Sequence, residues 1–193
     1  LFGAKSVTFT EPEYEINGNV LTISGTVGIV EERFVWDIPG IFDVTKVVFK
    51  NGIKAIGYTS FYTLSNLTEA DFSECTTLES IDDGAFDGTN ISTFDFSACP
   101  SLKTLDYGSL ASNNLSEVRL GISDPSDISI NEDAFRFSTS YSVDGTIVVP
   151  IGSADTWVNF YKDKGKIADG NTFSGLFGAK SVTFTEPEYE ING

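Results

Sequence analysis

The chain has 193 residues, of which 40% are apolar and 16 are Phe, so it is long and apolar enough to fold around a core. Its formal net charge of −16 argues against a nucleic-acid partner, which needs clustered Lys and Arg, and against an anionic membrane surface. No apolar run approaches the ~18 residues of a membrane span, so no membrane insertion is predicted for this fragment. Because the chain contains no Met, we expect a processed or excised piece of a longer protein, with export left open.

Short strands are predicted at the start of the chain. Ser6–Thr10 and Val20–Ser24 alternate apolar and polar residues and are rich in β-branched side chains, which favours strands that face a core on one side. Asn17-Gly18 predicts a turn between them, and Glu31–Trp36 predicts another strand. We therefore interpret residues 1–43 as a β cap over the elements that follow.

Apolar columns recur from residue 44 onward. Residues 68–91 and 92–115 align without a gap, and residues 44–67 align with one residue gained and one lost. The matched pairs are Phe72 with Phe96, Cys75 with Cys99, Leu78 with Leu102, Ile81 with Leu105, Gly84 with Gly108, Phe86 with Leu110, and Ile91 with Leu115. A degraded fourth copy begins at Ser116 and keeps Val118, Leu120, Ile130, Ala134 and Phe135 in register.

This period predicts a mostly β fold, with a solenoid over residues 44–150. We expect about four coils of about 24–25 residues, each with a short strand and a turn. One coil cannot bury its own apolar face, so the coils must stack to form a core.

The repeat motifs resemble those of a known family. The pattern C-x-x-L-x-x-I-x-x-G-A-F from Cys75 to Phe86 and the segment NEDAF at 131–135 are similar to BspA-like leucine-rich repeats of bacterial and some protist surface proteins. The segment at 145–157 resembles the strand that closes such arrays. The resemblance covers roughly residues 44–160, and it implies surface display, adhesion and an extracellular or cell-surface location.

The sequence departs from the family pattern in two places. Leu110 stands where the family usually has Phe, and the fourth copy runs into the SDPSD stretch at 123–127. We predict that the solenoid bends or ends there.

A short amphipathic helix is predicted over Ser153–Lys166. Its apolar residues recur at helical spacing, Ser153 is placed to cap its start, and Gly165 is placed to end it. Residues 151–175 are therefore assigned to this helix and a link.

The last segment, 176–193, repeats residues 1–18 letter for letter as LFGAKSVTFTEPEYEING. A tandem array or a deliberate duplication accounts for this identity. The second copy supplies one cap strand and its turn but lacks the partner strand. Three placements are open: it hangs loose, it pairs with an edge of its own unit, or it docks on another molecule. Both copies are expected to compete for the place beside Val20–Ser24.

Chemically active groups are few. The chain has no His, so zinc sites and Ser–His or Cys–His catalysis are not expected. Cys75 and Cys99 occupy one column, where a disulfide and two buried thiols are the alternatives, the thiols being favoured. Four carboxylate pairs are not expected to be catalytic, because no cleft is predicted around them: Glu11/Glu13, Glu31/Glu32, Asp82/Asp83 and Glu132/Asp133. Asp82/Asp83 and Glu132/Asp133 fall at one turn position of the solenoid and are interpreted as solvated loop charges.

Two further patterns have both a functional and a structural interpretation. The SDPSD stretch supplies oxygen ligands for calcium but lacks the spacing of a dedicated loop, so a polar turn is favoured. The sequons at Asn66, Asn90 and Asn114 are glycan acceptors or, as we favour, repeated hydrogen-bonding residues of the turns.

The favoured binding surface is the outer face of the repeated strands. Ala70 and Phe72 point to the core, so their neighbours point outward. The predicted ligand-binding residues are Glu69, Asp71, Thr93, Asp95, Glu117 and Arg119, with Thr45 and Val47 before them on the first coil. Stacked coils line these residues up in a mostly acidic ladder.

These patterns predict a non-enzymatic, surface-exposed binding or adhesion module, one unit of a larger protein, with a protein or glycan ligand and no cofactor or metal. The alternative is a structural role, in which 176–193 mediates self-association and links units or molecules head to tail.

Overall fold

The computed structural model describes residues 12–25, 28–30, 34–136 and 144–188. Over these ranges the chain is mostly β, with one short α-helix. The strands are β1 Glu13–Asn17, β2 Val20–Ser24, β3 Gly28–Val30, β4 Lys46–Phe49, β5 Ile53–Ile56, β6 Glu69–Asp71, β7 Ser80–Ile81, β8 Thr93–Phe96, β9 Thr104–Leu105, β10 Glu117–Leu120, β11 Ser129–Ile130, β12 Asp144–Val148, β13 Ala168–Asp169, β14 Thr172–Ser174 and β15 Ser181–Thr185. The helix is α1, Ala154–Asp163, and 3-10 turns cover Phe34–Asp37, Ile41–Asp43, Pro125–Asp127 and Leu176–Gly178.

The strands form the sides of a solenoid, as predicted. One side is made of two sheets with the orders β1-β2-β4-β6 and β8-β10-β12-β15-β14-β13, and β6 lies against β8. The second side is a sheet of the order β11-β9-β7-β5-β3, in which every pair is parallel. The solenoid has about five turns rather than four, because β2 and β3 already stack in parallel on β4 and β5.

The turns between the two sides are tied by backbone hydrogen bonds from coil to coil. The Phe61 N–H donates to the Ala85 carbonyl, the Phe86 N–H to Ser109, and the Leu110 N–H to Ala134. Leu110 is fully buried and its coil continues into β11 and β12, so the solenoid does not end at this substitution. Leucine fills the apolar column in place of Phe without breaking the backbone ladder.

Stacked aromatic rings fill the first half of the core. Phe49 and Phe72 lie parallel at 4.7 Å between ring centroids, and Phe72 lies 4.8 Å from Phe96. A second column stacks Phe61 on Phe86 at 5.0 Å, and its rings meet Phe49 edge to face. Each ring contacts rings of neighbouring coils, so the core is one continuous cluster.

The N-terminal elements differ from the prediction in two places. The strand that pairs with β2 is β1, which turns through Gly18 at φ +61°, whereas Ser6–Thr10 lies outside the described residues. Phe34–Asp37 forms a 3-10 turn instead of the end of a strand. The Pro39-Gly40 turn that follows, with Gly40 at φ +86°, breaks the extended backbone that a strand needs.

The predicted helix forms with slightly narrower bounds, as α1. It buries Ala154, Trp157, Val158 and Tyr161 against the end of the solenoid, and the Trp157 indole N–H donates to the Ile122 carbonyl at 3.1 Å. Ser153 sits at the start, but its hydroxyl donates to the Pro150 carbonyl and does not cap the helix.

The duplicated segment pairs with its own unit. Strand β15 lies between β12, which is parallel to it, and β14, which is antiparallel. It does not lie beside β2, so the expected competition for that place is wrong for the C-terminal copy. The stack of coils ends at β12, whose second edge is left unpaired by the coils. An apolar strand that pairs with this edge satisfies it and buries its own side chains, as β15 does.

We expect Phe86→Ala to lower the free energy of unfolding by about 3–5 kcal/mol, because it removes a ring at the centre of the aromatic columns. Urea unfolding followed by circular dichroism measures the loss. Phe42→Ala is the matched control: Phe42 is 55% exposed, and we expect a loss below about 1 kcal/mol. Equal losses at the two positions would contradict the assignment of the core.

Candidate binding surface on the strand face

The outer face of β4, β6, β8, β10, β12 and β15 is called the strand face here. The structure places all six predicted ligand-binding residues on it, partly or fully exposed, while Ala70, Phe94 and Val118 between them are buried. Register pairs four of the six: Thr93 lies opposite Glu117, and Asp95 opposite Arg119. The other two, Glu69 and Asp71, line one depression together with Thr93 and Asp95. The sequence-predicted surface is therefore contiguous.

The prediction for the first coil is wrong by one residue. Val47 is fully buried and pairs with Ala70, and Thr45 precedes β4, with its carbonyl accepting from the Thr68 and Glu69 N–H groups. The outward residues of β4 are Lys46 and Val48. The strand-to-strand spacing is 23 residues here instead of 24, because Lys46 pairs with Glu69. Aligning TKVVF with TEADF in the sequence would have shown this offset.

Lys46, which the sequence analysis missed, is the main cation at one end of the strand face. Its Nζ lies 2.6 Å from Glu69 Oε1 and 3.0 Å from Asp71 Oδ2. The hydrogen bonds that Lys46 donates to these two carboxylates raise its pKa. The second cation, Arg119, donates to Glu117 on its own strand at 2.7 Å. Both cations are already paired, so the face as a whole stays acidic.

Asp71, the last residue of β6, and Asp95, the last but one of β8, make the same hydrogen bond. Asp71 Oδ1 accepts from the backbone N–H and the hydroxyl of Ser73, at 3.1 and 2.7 Å, and Asp95 Oδ1 accepts from the Ser97 N–H at 2.9 Å. The Ser73 hydroxyl, with smaller contributions from the Ser73 N–H and Lys46, lowers the pKa of Asp71 to about 2. These carboxylates are held in place by the turn, so they present a fixed row of negative charge.

Three shallow depressions adjoin along this row. The first, of about 410 Å³, is lined by Glu69–Ser73, Thr93 and Asp95. It shares Asp95 and Ser97 with the second, of about 420 Å³, which in turn shares Arg119, Val148 and Pro187 with the third, of about 490 Å³. Together they form one groove, called the strand-face groove, across the strands from Glu69 to Glu188. Thr185–Glu188 come from the duplicated segment, and no pattern in the sequence had placed them here.

The cysteines are buried, and both thiols are free. Burial raises the pKa of Cys75 to about 11 and that of Cys99 to about 12. Their sulfur atoms lie 3.6 and 3.9 Å from backbone carbonyls of the preceding coil. They pack as small apolar residues in the column.

The remaining candidates take part in structural contacts where the structure describes them. Asn66 and Asn90 each donate to a carbonyl of the preceding coil at 2.7 Å, and in the third coil this bond comes from Asn113 rather than Asn114. Asp124 accepts from Ser126 and starts a 3-10 turn, which accounts for SDPSD. Within the described ranges no cluster of Cys, Asp or Glu is arranged to hold a metal ion.

Asp82, one of the paired carboxylates, and nearby Asp87 lie in the turn that follows β7, and both have raised pKa values. Burial, reinforced by the charge of Asp106, raises the pKa of Asp82, and burial also raises that of Asp87. Glu11, Glu31 and Glu32 lie outside the described residues. The strand-face groove contains neither Asp82 nor Asp87.

The stacked coils, with a strand, a turn and an apolar column in each, define a leucine-rich-repeat solenoid. The model of the BspA type leucine rich repeat region matches residues 40–150 in six copies, which is more than half of the chain. This chain therefore belongs to the BspA type leucine-rich-repeat family.

Among solved structures, the chain is similar to a leucine-rich repeat protein from Eubacterium ventriosum, with 17% identity and a TM-score of 0.45. The similarity covers 74% of this chain and 43% of the other, so the chain spans less than half of that protein. No curated protein matches the sequence.

Native Cys75 and Cys99 should react with an aromatic disulfide reagent at least about a hundredfold more slowly than the same thiols in urea. The thiolate is the reacting species, and the raised pKa values leave little of it at neutral pH. Absorbance of the released thiol measures both rates. Rapid reaction of even one native thiol would contradict the burial of the column.

Asp71→Asn should destabilise the chain at neutral pH, and the loss should fade as the pH falls from about 4 to about 2. The pKa of Asp71 in the folded chain lies below its ordinary value. The charged carboxylate therefore stabilises the fold at any pH above that ordinary value, and this stabilisation is lost as the pH falls and the folded carboxylate takes up a proton. Urea midpoints of the two proteins across this range measure the effect. Ser73→Ala removes one of the donors to Asp71 and should narrow the pH range over which the loss fades. A stability difference between Asp71→Asn and the unmodified chain that does not vary with pH would contradict the lowered pKa of Asp71.

Proposed function

We propose that this chain is a non-enzymatic binding module of a larger surface protein, and that its strand-face groove holds the ligand. The observation that carries the proposal is the continuity of the groove over β6, β8, β10, β12 and β15. Repeat proteins bind partners on extended surfaces of this kind, because stacking aligns equivalent residues of successive coils.

The charge of the groove favours a cationic partner. Glu69, Asp71 and Asp95 line one end, Glu186 and Glu188 line the other, and the cations Lys46 and Arg119 are held in ion pairs. The net charge of −16 adds a long-range field that attracts positive ligands. An extended protein segment that carries Lys and Arg satisfies both features.

A protein ligand is favoured over a glycan by the shape and lining of the groove. Sugars are commonly held against exposed aromatic rings, and the aromatic residue lining these depressions, Phe72, is 1% exposed. Backbone groups and carboxylates at the strand ends instead match the donors of a peptide chain.

The protonation of the groove supports a role without catalysis. General acid–base chemistry at neutral pH needs a carboxyl group with a raised pKa. In the groove the shifts run the other way: hydrogen bonds lower the pKa of Asp71 to about 2, and backbone N–H groups lower that of Glu186. These groups stay charged, which suits electrostatic recognition.

The location is part of the proposal. BspA type proteins are generally surface-associated in bacteria, and we infer the same for the parent of this chain. Across the described ranges of the structure, no helix is long and apolar enough to cross a bilayer.

We expect Asp95→Lys to weaken ligand binding at least about tenfold, since it reverses the charge at the centre of the groove. Binding is measured by biolayer interferometry against a panel of extracellular matrix proteins and a glycan array, at low and high salt. Asp163→Lys, on the exposed side of α1, is the matched control and should bind like the unmodified chain. Equal binding by both variants would exclude the groove, and a parent found only inside the cell would exclude surface adhesion.

A second role, assembly through the duplicated segment, is favoured by a separate observation. Ser181–Thr185 fills a place inside the sheet rather than lying on the surface. This placement supports a role in which a strand of the same sequence joins two units.

A further inference from the structure

Strand β15 occupies an interior place at the end of the solenoid. It pairs with β12 over five residues, from Asp144 with Ser181 to Val148 with Thr185, and with β14 over three. The two neighbours thus present backbone donors and acceptors on both sides of a single slot, called the acceptor slot here. Removing β15 would leave both of them unpaired at that edge.

The side chains of the segment are anchored in the core on one face. Phe184 lies 5.7 Å from Trp157, 5.7 Å from Tyr161 and 5.8 Å from Phe173, between ring centroids. Phe177 lies 4.8 Å from Phe135. The apolar anchors Leu176, Phe177, Ala179, Val182 and Phe184 are each at most 3% exposed.

Two polar contacts fix the register of the segment. The Ser181 hydroxyl donates to Asp144 at 2.6 Å, at the start of the paired stretch. At the other end, Glu186 Oε1 accepts from the Ala154 N–H at 3.0 Å and thereby caps α1, which Ser153 does not do. The backbone N–H groups of Ala154, Gly152 and Ser153 lower the pKa of Glu186, so the cap is charged at neutral pH.

Every one of these anchors has an identical counterpart at the other end of the chain. The counterparts, in the same order, are Leu1, Phe2, Ala4, Ser6, Val7, Phe9 and Glu11. A slot complementary to residues 176–186 is therefore equally complementary to residues 1–11. The residue after the segment is Pro12 in one copy and Pro187 in the other, so the chain leaves the slot through the same sequence.

We propose that the acceptor slot between β12 and β14 also takes residues 1–11 of a second copy of this chain, in the register of residues 176–186, and so joins molecules head to tail. The proposal rests on the assembly role given above, and its test, the oligomeric state, is read separately from ligand binding. The occupant of the slot also lines one end of the strand-face groove. The donor would carry its own β1 and β2 directly beyond the slot, so its solenoid would follow that of the acceptor.

The resident copy determines when this exchange occurs. Residues 176–186 are tethered to β14 through Gly175, which gives them an effective concentration on the order of millimolar at the slot. A second molecule at micromolar concentration does not compete with such a tether. The unmodified chain is therefore monomeric when dilute, and exchange becomes visible when its own copy is disabled.

The duplication supplies a matched test in the full-length chain. Val182→Asp with Phe184→Asp places two charges on the buried face of the resident strand and disables it. Sedimentation velocity over a range of protein concentrations should then show dimers and longer chains. The control, Val7→Asp with Phe9→Asp, makes the same chemical change in the other copy and should stay monomeric, as should the variant with all four substitutions.

The outcomes distinguish strand exchange from non-specific association through exposed core residues. The C-terminal variant is the one with Val182→Asp and Phe184→Asp, and the fourfold variant carries all four substitutions. If the fourfold variant forms the same oligomers as the C-terminal variant, the association is non-specific and the proposal is overturned. A monomeric C-terminal variant would overturn it as well. Neither result bears on ligand binding, which is measured separately with Asp95→Lys.

A second measurement applies if the C-terminal variant does not fold. A protease site inserted at Gly175 allows the resident copy to be cut after the full chain has folded. A fluorescent synthetic peptide with the sequence of residues 1–18 should then co-elute with the cut protein, whereas the same peptide carrying Phe9→Asp should not. Failure of the unmodified peptide to exchange into the cut protein would overturn the proposal.

Discussion

In-register stacking of coils is the constraint from which the other features of this chain follow. Each coil presents a short strand and an apolar row that it cannot bury alone, so Phe49, Phe72 and Phe96 become a core only when their coils pair. Backbone hydrogen bonds between successive turns, such as that from the Phe86 N–H to the Ser109 carbonyl, hold the same register between the two sides of the solenoid. The register therefore fixes the core and the outer surface at once, because alternate residues of each strand face opposite ways.

A stack of this kind has two open ends, and the chain closes them differently. At the start, the antiparallel strand β1 covers the edge of β2. At the far end, α1 and the strands β13–β15 bury Trp157, Tyr161, Phe173 and Phe184 together. The second closure uses a segment that the chain carries twice, so the element that completes the core is also the one that we propose joins molecules. The same segment extends the strand-face groove through Thr185 and Glu186.

Much of the fold and part of the candidate site were predictable from the sequence, because a 24-residue period shows which residues of successive coils are aligned. Ala70, Phe72 and Phe94 mark the buried face, and the outward positions of Glu69, Asp71, Thr93, Asp95, Glu117 and Arg119 follow from alternation. The prediction was wrong at Val47, where the spacing shortens by one residue. It was also wrong at Phe34–Trp36, where a Pro-Gly turn ends the extended backbone.

The sequence by itself determined the repeat, its apolar columns, the helix near Ser153 and the identity of the two terminal segments. These are local or periodic properties, and hydrophobic spacing encodes them directly. The tertiary structure alone decided that Ser181–Thr185 lies between β12 and β14, that Glu186 rather than Ser153 caps α1, and that Lys46 pairs with two carboxylates. Each of these joins residues far apart in the chain. Their proximity depends on how many coils stack between them and on which edge is left open, and no local pattern carries that information.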